Sequence, residues 1–394
     1  MALLPWPKPY LKVRDFKVSL RGMYIRASLA LVGEGLEPRQ GVCIGVSADG
    51  LVESIEGWGS CPADSLGGSW AVALPQPANA HVHSADGAFP EFGPELGLHD
   101  LVAPPKGLKY RLLGSLGHAE TVASIARTYW AAYARGVGLL ADFREGGGAG
   151  CTKAQLARAS LPKDMDVLVL GTPGPGFPEG CSGLGLSSPL DYPLSLVSEL
   201  AAKHRPSLTH VAEDPINRAM EDLEIAIAAR FTAVVHGTYL SRGDLEALAE
   251  AGIGLVMCPR SNMWHSLRPP PVAEALTAGV RLGLGTDNAA WSEPDPWGEA
   301  EAALLIARQQ GLRDAPGKVL EALLVGGYRA LGLSPRPIEE GLRAHLLLVN
   351  GRDSGILSAL DLMSAIVKRA RGWLVARVDG TSYVDLSSYR APHL

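Results

Sequence analysis

The stretch "AVALPQPANAHVH", residues 71–83, joins an apolar run, two prolines and a pair of histidines one residue apart. Alternate side chains of an extended strand share a face, so His81 and His83 point one way and Val82 the other. Taken alone, the pair fits either a metal site or one buried and one exposed histidine. Further along the chain, short β-rich runs follow at intervals: "VGLLADF" (137–143), "DVLVLGT" (166–172), "GLGLSS" (183–188), "SLTHVAE" (207–213), "AVVHGTY" (233–239), "GIGLVMC" (252–258) and "VRLGLGTD" (280–287). Helical stretches such as "HAETVASIARTYWAAYARG" and "NRAMEDLEIAIAAR" lie between several of them. Strands alternating with helices imply parallel pairing through crossovers, and eight strands are what a closed barrel requires.

Outward from this core, residues from about 10 to 72 read as short strands and turns, with "VCIGVSADGLVESIEGW" a hairpin around Asp49-Gly50. After the eighth strand, helical segments give way to strand-like "HLLLVN" and "WLVARVDG". The expected fold is therefore an α/β protein, a (β/α)8 TIM-like barrel over residues 73–337. A small β-sandwich module is expected from 1–72 together with 338–394.

The bulk properties narrow the function classes. The chain has 394 residues, 47% of them hydrophobic, and a formal net charge of −5. That balance offers no basic field for a nucleic-acid polymer. No uncharged apolar run reaches membrane-spanning length, and the opening "MALLPWPKPYLKVRDF" lacks the apolar core of a signal peptide. Cys43, Cys61, Cys151, Cys181 and Cys258 are odd in number, widely spaced and free of C-x-x-C pairs, which predicts reduced thiols and a cytoplasmic protein. The expected partner is a small-molecule substrate; a homo-oligomer is allowed, a membrane partner is not expected.

Barrel enzymes carry their chemistry at the C-terminal ends of the strands. Here the first strand ends in His81 and His83, the fifth in His210 and Glu213, the sixth in His236 and the eighth in Asp287. Five metal-competent side chains and one further acid on one rim decide the opening ambiguity in favour of a metal.

This set resembles the amidohydrolase superfamily, in particular its cytosine, guanine and S-adenosylhomocysteine deaminase and chlorohydrolase branch, with its H-x-H, H-x-x-E, later His and final Asp. "CPRSN" at 258–262, "RALGL" at 329–333 and the late "DG" extend the resemblance over nearly the whole chain. Two departures stand out: His345 occupies a position where relatives carry Asp, read as strand packing, and "QPA" replaces a Pro-Gly turn before the first histidine pair. Binuclear relatives bridge their ions with a carbamylated lysine at the end of the fourth strand or, less often, with a carboxylate; neither "DVLVLGTPGPG" nor "CSGLGLSS" carries a strand-end lysine, Lys163 precedes the third strand and Glu179 is read as a loop residue.

The resemblance thus implies one divalent ion, Zn or Fe, held by His81, His83, His210 and Asp287, which activates a water. Asp287 would accept the proton lost, His236 would orient the nucleophile, and Glu213 would protonate a ring nitrogen and then the departing amine. The implied reaction is hydrolytic deamination of a nitrogen heterocycle; hydrolysis of a cyclic amide or imidazolone is the alternative, and a non-catalytic relative would have lost one of these groups. Arg144, with Glu145 beside it in "DFREGGG", and Lys109, with Lys106 in the long first loop, are candidate substrate contacts, as is Trp291 for stacking. Ser261 and Asn262 are expected to fix the geometry behind the ligands.

Overall fold

The run expected to form one strand over residues 71–83 forms two strands in two different sheets. In the computed structural model, which describes residues 22–387, β4 (Leu66–Pro75) ends at Pro75 and β5 (Ala78–His83) begins after Pro77. Proline has no N–H to continue a ladder, so the two prolines at 75 and 77 separate the pairings. The expected strand content between residues 10 and 21, the absence of a signal peptide in the opening stretch, and residues 388–394 of the β module lie outside the described residues.

The described residues divide into two units, 22–75 with 336–360 and 372–387, and 76–335 with 361–371. The return of 361–371 to the second unit is not legible in the sequence pattern. In the first unit, β1 (Met23–Val32), β2 (Glu37–Val46), β3 (Val52–Gly57) and β4 are joined by β14 (His345–Asn350), β15 (Leu374–Asp379) and β16 (Ser382–Asp385) in the order β16-β15-β14-β4-β1-β2-β3. Ile25 and Ile44 share one apolar cluster with Leu346, Leu348 and Val378, so the sheet curls over its own core. The β2–β3 hairpin turns at Gly50, whose φ of 81° is open to glycine at no steric cost. His345 lies 3.0 Å from Asp379 by Nδ1 and Oδ1, an ion-pair geometry in addition to strand packing.

The second unit is built on β5, β6 (Leu139–Arg144), β7 (Asp166–Gly171), β8 (Gly183–Leu186), β9 (Ser207–Val211), β10 (Ala233–His236), β11 (Gly254–Met257), β12 (Leu282–Leu284) and β13 (Asp287–Asn288). Their order is β12-β11-β10-β9-β8-β7-β6-β5-β13. β12 and β13 are successive pieces of one interrupted strand: β12 pairs with β11, and β13 pairs in parallel with β5. Across the interruption Gly285 N–H donates to Met257 O, and Thr286 N–H donates to His81 O at 2.9 Å. The eighth strand therefore closes the barrel on the first. Gly285 is required there, because a Cβ would lie 2.6 Å from the Cβ of His81.

The expectation of reduced thiols is corrected for four of the five cysteines. Cys43 in β2 is bonded to Cys61, and Cys151 in helix Gly147–Arg158 to Cys181. The fold brings their Cα atoms to 5.3 and 5.1 Å although the partners are 18 and 30 residues apart in sequence, a proximity that spacing alone does not reveal. Cys258 is free and buried. The cytoplasmic expectation thereby loses its thiol argument. Among the described residues no helix is long and apolar enough to cross a membrane.

Candidate metal centre and its cavity

Strand ends of the barrel bring His81, His83, His210, His236 and Asp287 together, all of them from the second unit. His81 Nε2 lies 3.3 Å from Asp287 Oδ1, and His83 Nε2 lies 3.4 Å from His210 Nε2 and 3.7 Å from Asp287 Oδ1. The ligating atoms of His81, His83 and His210 fall within 4.8 Å of one another, as do those of His81, His236 and Asp287.

Hydrogen bonds behind the rings set which nitrogen faces inward. His210 Nδ1 is 3.0 Å from Leu186 O, an acceptor only, so Nδ1 carries the proton and Nε2 keeps its lone pair. His83 Nδ1–H likewise donates to Glu145 Oε1 at 3.1 Å. Burial lowers the His81 imidazole to about 3 and holds His210 well below its ordinary value. Neutral imidazoles and an ionised carboxylate with lone pairs on one point are the donor set of a divalent cation, and the residues present fit one. Burial opposes ionisation of Asp287, but its hydrogen bond with His81 and the neighbouring histidines outweigh that and keep it well below the usual carboxylate range.

The backbone is bent at these positions. His236 has φ 72°, Asp287 φ 58°, and Ala212, between His210 and Glu213, φ 48°. Such left-handed non-glycine residues cost conformational energy and are held by their surroundings. Ala212 N–H donates to Asp222 Oδ2 at 2.6 Å and its carbonyl accepts from Tyr239 N–H, which fixes the turn that presents Glu213.

Ser261 and Asn262 sit where the sequence suggests. Ser261 Oγ donates to Asp287 Oδ2, leaving Oδ1 for the common point. Asn262 Nδ2 is 3.2 Å from His236 Nδ1; with Nδ1 accepting, His236 carries its proton on Nε2, which lies 3.5 Å from Glu213 Oε1. Glu213 is pushed up to about 8, first by burial and then by the charges of Asp287 and Asp214.

Glu213, His236, Asp287, His83 and His210 open on a cavity of about 280 Å³ that Lys109, Tyr110, Glu145, His265 and Trp291 also line. A larger cavity of about 580 Å³, lined by Arg205, Arg230 and Arg281, holds none of these ligating side chains.

Arg144 does not reach the cavity. It is buried, with Nε donating to Phe143 O and lying 3.2 Å from Asp142 Oδ2, and with Nη2 donating to Glu145 Oε2 at 3.0 Å. Lys109 lines the cavity, but its ammonium is engaged by Glu145 Oε1 at 2.6 Å and Asp86 Oδ2 at 3.2 Å. Lys106 is exposed and away from the cavity. Trp291 reaches the wall, its Nε1–H donating to Phe92 O. Sequence reasoning missed His265: it lies three residues beyond "CPRSN", in a run with no motif and no periodicity to mark it.

Residues 199–378 match the amidohydrolase family. The chain is 28% identical over 334 residues to a putative aminohydrolase of Methanothermobacter thermautotrophicus, covering 77% of this chain and 85% of the relative. A shorter stretch of 118 residues is 36% identical to 5-methylthioadenosine/S-adenosylhomocysteine deaminase 2 of Archaeoglobus fulgidus, 30% of this chain and 28% of that protein. The fold is shared with a zinc-bound adenosine deaminase from Xanthomonas campestris, at TM-score 0.74 and 16% identity over 92% of both chains. It is shared also with a zinc-complexed atrazine chlorohydrolase from Arthrobacter aurescens, at TM-score 0.74 and 15% identity over 91% of this chain and 94% of the other.

Proposed function

We propose that the chain, whose residues 199–378 match the amidohydrolase family, is a metal-dependent hydrolase of that superfamily that deaminates a planar nitrogen heterocycle, a nucleobase, nucleoside or related ring. The observation that carries the reading is geometric: Glu213, with Oε1 3.5 Å from His236 Nε2, shares one cavity with the ligand-type side chains of His83, His210 and Asp287. Burial and the charges of Asp287 and Asp214 push its carboxyl up to about 8, the direction a general acid needs.

His81, His83, His210 and Asp287 would hold one divalent ion, zinc or iron, which supplies Lewis-acid activation of water when bound. Neither β7 nor β8 ends in a lysine that could bridge two ions, which supports one ion over two. The chain's own residues do the rest. His236 offers its Nε2–H as a fixed hydrogen-bond donor toward the attacking oxygen, where charge develops. Asp287, ionised and with Oδ2 held by Ser261, accepts the proton of the attacking water. Glu213 gives its proton to a ring nitrogen, so that the ring carbon becomes electrophilic; it then takes the proton of the newly added hydroxyl and passes it to the amine as the C–N bond breaks and ammonia leaves, and the proton held by Asp287 returns to Glu213.

An ammonia-release assay on zinc- or iron-loaded protein, over free bases, nucleosides and their thioether derivatives, tests the reading. Turnover with ammonia supports it. Ring opening of a cyclic amide or imidazolone without ammonia overturns it in favour of the alternative chemistry.

A further inference from the structure

We propose that His265 is a specificity-determining residue whose ring edge hydrogen-bonds a nitrogen or oxygen of the substrate heterocycle. This rests on the deaminase reading of the cavity. His265 ends helix Pro259–Trp264, the same short helix whose Ser261 and Asn262 hold Asp287 and His236. Its position is therefore tied to the reaction centre through a few residues of rigid backbone.

The wall around it is fixed. Trp291 is anchored by its Nε1–H on Phe92 O at 3.2 Å and packs on the Phe92 ring at 4.6 Å between centroids. His265 stands edge-on to Trp291, with centroids 4.7 Å apart and planes 86° apart. The polar groups nearby are engaged inside the protein. Lys109 is held by Asp86 and Glu145, and Asp191 accepts from Ser188 N–H. Asp214 accepts from Ile216 N–H and Asn217 N–H, and the Tyr110 hydroxyl is bonded to Ser187.

The His265 ring differs from these: it lines the cavity, and neither of its nitrogens has a hydrogen-bond partner among the described residues. Unpaired polar ring atoms are costly, and a ring edge without a partner inside the protein is left for what occupies the cavity. Burial lowers the imidazole below its ordinary value, so the ring is neutral at pH 7 and offers one donor and one acceptor. A planar heterocycle against Trp291 would bring its polar edge to the edge of the His265 ring that lines the cavity. Sites built to hydrogen-bond a substrate atom reject analogues lacking that atom far more strongly than apolar walls reject a change of size.

The test pairs one enzyme nitrogen with one substrate nitrogen. Wild type and His265→Phe, which keeps a ring against Trp291, are compared on adenosine and its 1-, 3- and 7-deaza analogues, by ammonia release and by calorimetric binding. The inference expects wild type to disfavour at least one deaza analogue by about tenfold or more in kcat/KM and in affinity. In His265→Phe that ratio should collapse to about one, with KM for the parent compound raised and kcat changed less. His265→Gln, which restores a hydrogen-bonding edge, should recover part of the ratio. Unchanged deaza ratios in the Phe variant, with ammonia still released by wild type, overturn the role of His265 alone. Wild type that neither binds nor deaminates any heterocycle overturns the deaminase reading, and this inference with it.

Discussion

Two carboxylates at the rim of the same barrel, Glu145 after β6 and Glu213 after β9, are held in opposite states. Both are half-buried beside the clustered histidines, and burial pushes both up. At Glu145 the charges of Lys109 and Arg144 overcome that push and hold the carboxyl well below its ordinary value. At Glu213 the nearest charges are Asp287 and Asp214, which add to burial and lift it to about 8. One residue type is thus a fixed anion behind His83 on one side and, on the other, a carboxyl raised toward the range that the proposed proton transfer requires. The teaching is that neighbours, not residue identity, assign the role.

The same substitution on the two sides is the sharpest way to break this comparison. Glu213→Gln keeps shape but carries no transferable proton, so kcat should fall by roughly two to four orders of magnitude with metal content unchanged. A near-wild-type rate, or lost metal, would remove Glu213 from proton transfer. Glu145→Gln should leave the rate at saturating metal close to wild type while weakening metal affinity by about 10–100-fold, because the charged acceptor of His83 Nδ1–H is lost. Chelator competition reads this directly, and equal metal affinity in the two variants would erase the distinction.

The pH profile sharpens the Glu213 side. In the proposed mechanism its protonated form is the active one, so activity should be retained below pH 8 and decline as pH rises through about 8. Glu213→Gln should show no such limb, and an alkaline limb that survives the substitution assigns it to another group.

The smallest effect is expected at Arg144. Its fork spans Asp142, Phe143 O and Glu145 out of reach of the cavity. Arg144→Lys keeps the charge and loses the fork, so stability should drop by about 1–3 kcal/mol in denaturant melts. The value of kcat/KM should change little once metal is saturating. A tenfold or larger loss of kcat/KM at unchanged stability would instead make Arg144 a substrate contact.

What the amino-acid order determined by itself is the part that depends on local periodicity and residue type. Strand-length apolar runs alternating with helices specify a parallel barrel, and ligand-type residues at strand ends specify a metal rim. His81, His83, His210, His236, Glu213 and Asp287 all end or follow strands that can be read in one pass. Tertiary structure alone decided the rest, because those features depend on distances between segments remote in the chain. The first apolar run is shared between two sheets, the eighth strand is split so as to close on the first, and two cysteine pairs meet. Lys109 reaches Glu145 across 36 residues and so sets its charge. Arg144, an exposed fork when read from its glycine-rich loop, turns inward because two buried acids flank it. Coulomb energies and desolvation vary over a few ångströms, a scale that no linear pattern encodes.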